Sequence, residues 1–291
     1  MLDTREKTVV EKYIRLALEE DSTDPIGKIL SGDHSSLAAV PADKNGRAKL
    51  LVKANGILAG VELAKTICEI VDTNLQLEFL MNDGDEMKVG DIAFYVSGSD
   101  RSILTAERII LNCMQRMSGI ATNTAQYVNA IAGTNAKVLD TRKTTPNFRV
   151  FEKWAVRIGG GYNHRFGLYD MIMLKDNHID YCGSIEKAIL AVKNYKEKNA
   201  LSIPVEVEAR TLQDVEEILK TGFVERVMFD NFSVENTAKA VALVNGKIET
   251  ESSGGINLQT IRAYAETGVD FISVGALTHS SVSLDLSLKA V

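Results

Sequence analysis

The second half of this 291-residue chain alternates short apolar runs with amphipathic runs at a regular spacing. Capped helical patterns separate the later apolar runs, and three of these four patterns end at a glycine. Alternation at this spacing predicts parallel strands joined by helical crossovers. The six predicted strands cover residues 137–141, 170–176, 203–209, 226–231, 247–253 and 270–276.

Six strand–helix units in 140 residues are too few for a complete eight-stranded barrel, which needs about 250 residues. The spacing therefore predicts an α/β fold with an incomplete β/α barrel. A doubly wound open sheet is the alternative. That alternative is less favoured, because no GxGxxG loop follows a first strand.

The first half of the chain has a different pattern. Apolar residues at helical spacing predict an amphipathic helix at the N-terminus. Residues 36–100 mix short strand patterns with turn signals and one helix, which predicts a small α+β domain. A long helical stretch then joins the two halves, with Gly119 as a candidate break.

Polar residues follow the apolar part of each predicted strand. The carboxyl ends of barrel strands meet at one rim, where barrel enzymes have their active sites. A set of cations, carboxylates and small residues is therefore expected to converge there. The strands end on Asp140-Thr141-Arg142-Lys143, Lys175-Asp176-Asn177-His178, Glu206 with Glu208, Asp230-Asn231, Glu251-Ser252-Ser253-Gly254-Gly255 and Gly275-Ala276.

The charge is unevenly distributed along the chain. The net charge is −6, but residues 140–175 alone carry +4 and the remainder carries −10. A basic segment in an acidic protein predicts a pocket for a small polyanion, and the acidic remainder argues against a nucleic-acid surface. Glycine-rich loops after the last two strands predict a phosphate site, because backbone N–H groups approach an anion closely there.

Cysteine usage and hydropathy predict a soluble, cytoplasmic protein without a membrane partner. Cys68, Cys113 and Cys182 lack metal-binding or redox spacing, and we expect all three to be ordinary core residues in a reducing compartment. The N-terminal residues carry charges throughout, unlike a signal peptide. No apolar run is long enough to cross a bilayer.

Several long motifs of the second half are distinctive, namely TRKTTPNFR, EKWAVRIGGGYNHRFGLYDMIMLKDNH, VEVEA, VMFDN, ESSGGI and GVDFISVGALTHS. They resemble those of one enzyme family, the quinolinate phosphoribosyltransferases, also called carboxylating nicotinate-nucleotide pyrophosphorylases. The resemblance also extends upstream through AERIILNCMQRMSGIAT and GILAG, and so covers nearly the whole chain.

The resemblance implies a fold and an assembly. An N-terminal α/β sandwich domain, over residues 1–115, would precede an incomplete β/α barrel, over residues 116–277. The tail, residues 278–291, would pack back on the first domain. The chain would form a homodimer or a larger homo-oligomer with a shared active site.

The resemblance also implies a reaction. Quinolinate would react with phosphoribosyl pyrophosphate in the presence of Mg²⁺, giving nicotinate mononucleotide, pyrophosphate and carbon dioxide. This is a step of NAD biosynthesis. Enzymes of this kind are glycosyltransferases that move a pentosyl group.

Matching the motifs residue by residue implies individual roles. The quinolinate carboxylates would be bound by Arg142, His164, Arg165, Lys175 and, from the neighbouring subunit, Arg108. Thr141 and Lys143 would contact substrate near the reacting centre, with Lys143 and Lys175 counted as catalytic. Glu208 and Asp230 would hold the ribose hydroxyls, directly or through Mg²⁺. The 5′-phosphate would be held by Ser253, Gly254, Gly275 and Ala276.

Three positions depart from the family pattern. Asn147-Phe148 replaces the usual Gly-Leu, Ala209 replaces the usual Val, and GDHSS replaces a GD-x-T-[ST] loop. The first departure is expected to alter the loop near the site. None of the three falls on a residue assigned to chemistry.

Other functions remain as alternatives. A related phosphoribosyltransferase could act on nicotinate or another aromatic acid. An aldolase would need a Schiff-base lysine in a neutral pocket, whereas Lys143 and Lys175 lie among other charges. A non-catalytic phosphate-metabolite binder would not need the carboxylates of the third and fourth strands. His164 is predicted to orient its neighbours rather than to act as a general acid, and a purely structural histidine is the alternative.

Overall fold

Antiparallel pairing organises one part of the chain and parallel pairing the other. The computed structural model describes residues 4–291, with side chains from residue 6 onward. The described residues divide into two compact units. The first comprises residues up to 125, 144–160 and 280–291, and the second comprises residues 126–143 and 161–279.

Both units contain helices and strands, and the two types alternate regularly only in the second unit's sheet region. The helices are α1 (Thr4–Ser22), α2 (His34–Ala39), α3 (Val61–Val71), α4 (Asp100–Ala130), α5 (Arg149–Ile158), α6 (Asp176–Cys182), α7 (Ile185–Lys198), α8 (Leu212–Thr221), α9 (Val234–Val244), α10 (Ile261–Ala265) and α11 (Ala276–His279). The strands are β1 (Asn45–Val52), β2 (Gly56–Ile57), β3 (Gln76–Phe79), β4 (Glu86–Met87), β5 (Ile92–Ser99), β6 (Lys137–Leu139), β7 (Ile172–Leu174), β8 (Val205–Ala209), β9 (Arg226–Asp230), β10 (Glu249–Ser253), β11 (Phe271–Ser273) and β12 (Leu286–Ala290).

The first unit contains a four-stranded antiparallel sheet in the order β12-β1-β5-β3. Ala48, Leu50 and Val52 alternate along β1 and are buried, so one face of this sheet supplies core side chains. The C-terminal strand β12 pairs with β1 and adds Leu286 and Leu288 to the buried set. The predicted helix at the N-terminus is present as α1.

Helix α4 runs without interruption through Gly119, so the candidate break there is wrong. The glycine has a packing reason instead. A Cβ at residue 119 would collide with the backbone carbonyl of Val282 within the first unit. The helix therefore needs a residue without a side chain where the C-terminal segment crosses it.

The long connection between the first two parallel strands contains a helix that belongs to the first unit. Helix α5 buries both Glu152 and Lys153, and Arg116 pairs with Glu152 over 2.9 Å. The basic segment therefore does not form one surface. Its members on helix α5 belong to the first unit, so they are not among the residues that follow the parallel strands of the second unit. They are Arg149, Lys153 and Arg157.

The loop that departs from the family pattern adopts a conformation that explains the usual glycine there. Asn147 has a φ of 62°, in the left-handed region. Asparagine adopts this region more readily than most residues other than glycine. The replacement of Gly by Asn is therefore compatible with the same turn.

The second unit contains a six-stranded parallel sheet in the order β6-β11-β10-β9-β8-β7. From β7 to β11, each strand pairs with the next along the chain, and the first strand, β6, pairs with the last. A doubly wound sheet would reverse direction at a switch point, and this order has none. The pairing is that of a barrel left open between β6 and β7, which confirms the predicted α/β fold with an incomplete barrel.

The predicted division at residues 115 and 116 falls inside helix α4, which extends from Asp100 to Ala130. That division stays a prediction.

Among residues 4–291, no helix combines the length and the hydropathy that a transmembrane span requires.

The cysteines correct one expectation. Cys68 and Cys113 are buried, as predicted, and burial raises the pKa of each thiol to about 12. Cys182 is exposed, so the prediction of a core position is wrong for this residue. It is the last residue of the short helix α6, which buries only Ile179.

Candidate active site

The second unit has a cavity of about 720 Å³ where the parallel strands end, as expected for a barrel. Twelve of the predicted site residues line it. They are Thr141, Arg142, Lys143, His164, Arg165, Lys175, Glu208, Asp230, Ser253, Gly254, Gly275 and Ala276. The convergence of strand ends that the sequence predicts is thus present in this part of the fold.

Asp140 fixes the segment that carries two of these residues. It follows strand β6, is fully buried, and accepts a hydrogen bond from the His164 backbone N–H over 2.9 Å. Its second oxygen accepts from the Asn163 side chain over 2.6 Å. A buried carboxylate with two donors holds residues 163–165 beside the end of β6, on the open side of the barrel.

Four cationic side chains line the cavity, namely those of Arg142, Lys143, Arg165 and Lys175. Burial and then the nearby charge of Arg142 lower the pKa of Arg165, despite opposing carboxylates. The guanidinium also donates to the Met171 carbonyl over 3.1 Å. Cations held this close favour an anion between them, because an anion relieves their mutual repulsion.

Carboxylates lie among these cations. The Lys175 ammonium donates to Glu208 over 2.8 Å, and the Asp176 backbone N–H lies 3.3 Å from the second Glu208 oxygen. Asp230 accepts from the Asn231 amide over 3.0 Å. The cavity therefore offers positive charge to acidic groups and oxygen ligands to hydroxyls or a cation.

The loop after strand β10 turns tightly at Gly254. This residue has a φ of 99°, outside the range that side-chain-bearing residues favour. A Cβ there would also lie 2.9 Å from the Asn231 backbone nitrogen. The loop can therefore take this path, with its backbone against the cavity, only with glycine at residue 254.

At the floor of the cavity, His164 contacts two buried carboxylates. Its Nε2 lies 2.9 Å from Glu206 Oε2 and 3.4 Å from Glu251 Oε2. Arg226 Nη1 lies 3.1 Å from the same Glu251 oxygen. The imidazole thus lies near both carboxylates, and the arginine lies near Glu251. Buried charges are tolerated when they have such partners.

Burial and mutual charge shift the pKa values of His164, Glu206 and Glu251. Burial alone would lower the pKa of His164, but hydrogen bonds and charges from Glu206 and Glu251 outweigh it and raise the pKa to about 9. The Arg165 N–H, which donates to Nδ1 over 2.7 Å, opposes that rise because a protonated nitrogen accepts no hydrogen bond. The Nδ1 contact belongs to the neutral ring, whose proton is then on Nε2, the nitrogen that lies nearest the carboxylates.

The two carboxylates respond in opposite directions. Burial, and then the charge of Glu251, raises the pKa of Glu206 to about 7. Burial opposes ionisation of Glu251 as well, but His164 and Arg226 lower the pKa of Glu251 overall. The negative charge of the pair therefore resides mainly on Glu251.

Two groups have the chemistry of metal ligands. Glu208 and Asp230 line the cavity with oxygen donors, and Mg²⁺ is commonly held by one or two carboxylates together with substrate phosphates. This donor set fits Mg²⁺. His164, Glu206 and Glu251 also place ligand atoms within 4.8 Å of one another, but Arg226 already compensates that group.

One predicted site residue lies elsewhere. Arg108 is an exposed residue of helix α4 in the first unit and does not line the cavity. Its predicted role depends on a neighbouring subunit and stays a prediction.

The cavity also includes residues that the sequence analysis assigned no role. Asn231, Glu251 and Gly255 were recognised as strand-end residues, and alternation along β10 could have placed Glu251 and Ser253 on one face. No signal assigned a role to the others. The additional lining residues are Met173, Met228, Asn231, Glu251, Gly255, Ile256, Ser273, Val274 and His279.

The fold and the site together define a class: incomplete β/α-barrel proteins with a cation-lined cavity at the strand ends. Two family models divide the chain between them. "Quinolinate phosphoribosyl transferase, N-terminal domain" matches residues 33–118, and the corresponding C-terminal domain matches residues 120–289. The chain belongs to the quinolinate phosphoribosyltransferase family.

Relatives from plants and bacteria agree. The chain is 45% identical to quinolinate phosphoribosyltransferase [decarboxylating] 1b of Nicotiana tabacum, over 95% of this chain and 81% of the relative. It is 41% identical to a probable nicotinate-nucleotide pyrophosphorylase [carboxylating] of Bacillus subtilis, over 89% and 88%.

Solved structures extend the similarity to three dimensions. NadC from Streptococcus pyogenes superposes with a TM-score of 0.88 and 40% identity, covering 97% of both chains. The nicotinate-nucleotide pyrophosphorylase from Francisella tularensis gives 0.87 and 38%, covering 98% of this chain and 96% of the other.

The constraint at residue 254 can be tested against its neighbour. Gly255 has a φ of 63° and open space around a hypothetical Cβ. We expect Gly255→Ala to destabilise by about 1–2 kcal/mol, the cost of a left-handed alanine. Gly254→Ala should cost about 1–3 kcal/mol more, because the loop must also move away from Asn231.

Urea unfolding of both variants measures the difference. Equal losses of stability in the two variants would contradict the close approach at Gly254.

Proposed function

We propose that this chain transfers the phosphoribosyl group of phosphoribosyl pyrophosphate to the ring nitrogen of quinolinate. Carbon dioxide is then lost, which gives nicotinate mononucleotide and pyrophosphate for NAD biosynthesis. The observation that supports this most is the four-cation cavity, in which the charge of Arg142 lies close enough to contribute to the lowered pKa of Arg165. Family membership supplies the reaction class.

The acceptor acid binds at the cationic side of the cavity. Arg142, Arg165 and Lys175 neutralise the two carboxylates of quinolinate, since arginine's planar fork pairs with a carboxylate through two hydrogen bonds. His164 acts differently from the sequence-based expectation of a direct ligand. Both of its ring nitrogens face protein groups, so it orients its neighbours.

The donor binds along the small-residue loops. Ser253 and Gly254 after β10, with Gly275 and Ala276 after β11, expose backbone to the 5′-phosphate. Glu208 and Asp230 hold the ribose hydroxyls. When bound there, Mg²⁺ neutralises the leaving pyrophosphate.

The chemistry needs positioning more than proton transfer. The ring nitrogen forms a bond to ribose C1 while the bond to pyrophosphate breaks, and the carboxylates near the ribose stabilise the positive charge that develops there. Lys143, held through its carbonyl by Thr278 over 2.8 Å, supplies a cation near the reacting centre.

Decarboxylation follows from the same bond. The alkylated ring nitrogen is positively charged and stabilises the electron pair that stays on the adjacent ring carbon when the bond from that carbon to the carboxylate breaks. A proton then replaces carbon dioxide at that carbon. The cavity holds the intermediate while this happens.

A direct assay tests the reaction. Purified protein with quinolinate, phosphoribosyl pyrophosphate and Mg²⁺ should form nicotinate mononucleotide and carbon dioxide in equal amounts, measured by chromatography and released label. Chelation of divalent cations should abolish turnover, and Mg²⁺ should restore it. Product from nicotinate and none from quinolinate would replace this proposal with the related phosphoribosyltransferase.

The acceptor subsite predicts a selective defect. Arg142→Ala should raise the quinolinate KM about tenfold to a hundredfold, because it removes charge-assisted hydrogen bonds. Arg210→Ala is a matched control, since Arg210 is half exposed and pairs with Asp180 away from the cavity lining. Steady-state kinetics with wild-type values for Arg142→Ala would remove Arg142 from the site.

We further propose a homodimer or larger homo-oligomer in which Arg108 of one subunit completes the cavity of its neighbour. The exposure of Arg108 supports this.

Cytoplasmic location also stays a proposal, since some plant relatives are named mitochondrial or chloroplastic.

Subunit complementation tests the shared site. Arg108→Ala and Lys175→Ala should each be nearly inactive, and mixing them under conditions of subunit exchange should restore up to about a quarter of wild-type sites in a dimer. No recovery, with exchange shown by mass-labelled subunits, would place the whole site within one chain.

A further inference from the structure

A second layer of charge lies one step below the cavity. In the parallel register, Glu206 of β8 is opposite Arg226 of β9, and Arg226 is opposite Glu249 of β10. Two residues further on, Glu208 is opposite Met228, which is opposite Glu251. Side chains two residues apart on a strand share a face, so both layers point to the same side.

The two layers differ in whether their side chains line the cavity. Glu208, Met228 and Glu251 line the cavity, and the lower residues do not. Glu206 is completely buried. Burying a carboxylate is costly unless it has a partner, so the contacts of Glu206 decide why this part of the barrel tolerates it.

The contact of Glu206 is with His164. Nε2 of His164 lies 2.9 Å from Glu206 Oε2, and both side chains are almost inaccessible to solvent. Glu251 is farther away, at 3.4 Å, and its oxygen is also shared with Arg226. Glu206 is therefore the nearer of the two carboxylates that fix the imidazole ring.

His164 passes this constraint to the backbone. Its other ring nitrogen, Nδ1, accepts the N–H of Arg165 over 2.7 Å. One ring thus bridges Glu206 on β8 to the first backbone atom of a cavity-lining arginine. A displacement of Glu206 would tilt the ring and release that N–H.

Arg226 contacts Glu251, the second carboxylate near His164. Its guanidinium lies 4.0 Å above the Phe271 ring and pairs with Glu249 over 2.8 Å. It holds Glu251, but it is not the nearest partner of the imidazole. Glu249 consequently shares the lower layer with Glu206 without touching His164.

We propose that Glu206 is a positioning residue for the acid-binding side of the cavity, acting through His164 on Arg165. This inference rests on the proposed function, which places an acceptor carboxylate at Arg165. Glu206 contacts no substrate. Its effect depends on where its oxygen lies more than on its charge.

Two substitutions separate position from charge. Glu206→Asp keeps the charge but withdraws the carboxylate by one methylene. Glu206→Gln keeps an acceptor oxygen at the original distance without the charge. We expect Glu206→Asp to raise the quinolinate Kd and KM about tenfold, as for loss of one buried hydrogen bond, and Glu206→Gln to stay within about threefold of wild type.

The donor side provides the internal reference. The Kd of phosphoribosyl pyrophosphate should change less than about twofold in both variants, because its proposed phosphate ligands lie on the loops after β10 and β11 and Glu208 has its own partner in Lys175. Glu249→Gln, in the same layer and on Arg226, should leave the quinolinate Kd unchanged. Calorimetric titration measures each Kd without turnover, and thermal melting confirms folding.

A double-mutant comparison tests the route through His164. In a His164→Ala background, Glu206→Asp should add less than about twofold to the quinolinate Kd. Full additivity would overturn the route. A wild-type quinolinate Kd in Glu206→Asp, or equal losses for both substrates, would overturn the positioning role.

These outcomes are distinct from failure of the proposed function. That failure would appear as absence of nicotinate mononucleotide from the wild-type protein itself.

Discussion

The alignment of side chains across parallel strands is the constraint on which the site depends. Adjacent strands in this register force Glu206, Arg226 and Glu249 into one layer, and Glu208, Met228 and Glu251 into the next. A charge in such an interior is stable only when its neighbours compensate it. In the lower layer Arg226 pairs with Glu249 and also with Glu251 above it, Glu206 is compensated by His164, and the cavity retains cations for a ligand.

The open side of the barrel is the second element of the design. Strand β6 pairs with β11, and β7 pairs with β8, so no strand closes the gap between β6 and β7. The chain between them contributes His164 and Arg165, and the buried carboxylate of Asp140 anchors it there. Residues on both sides of the gap thus line the cavity.

Much of this could be predicted, and particular residues show where prediction stopped. The six strands and their polar ends followed from apolar runs and turn signals, because each is a local pattern. The basic segment was harder to interpret. Arg165 and Arg157 look alike in the sequence, yet one lines the cavity and the other lies on α5 in a different unit. Gly119 was misread for the same reason, since only the distant Val282 explains it.

The sequence by itself determined the class of fold, the polar rim and, through its motifs, the family. These depend on local periodicity and on residue identity along the chain. Only the tertiary structure decided that His164 faces Glu206 and Glu251 with one nitrogen and the Arg165 backbone with the other. The physical reason is that strand register and chain path bring together groups 42 and 87 residues from His164, which no local pattern encodes.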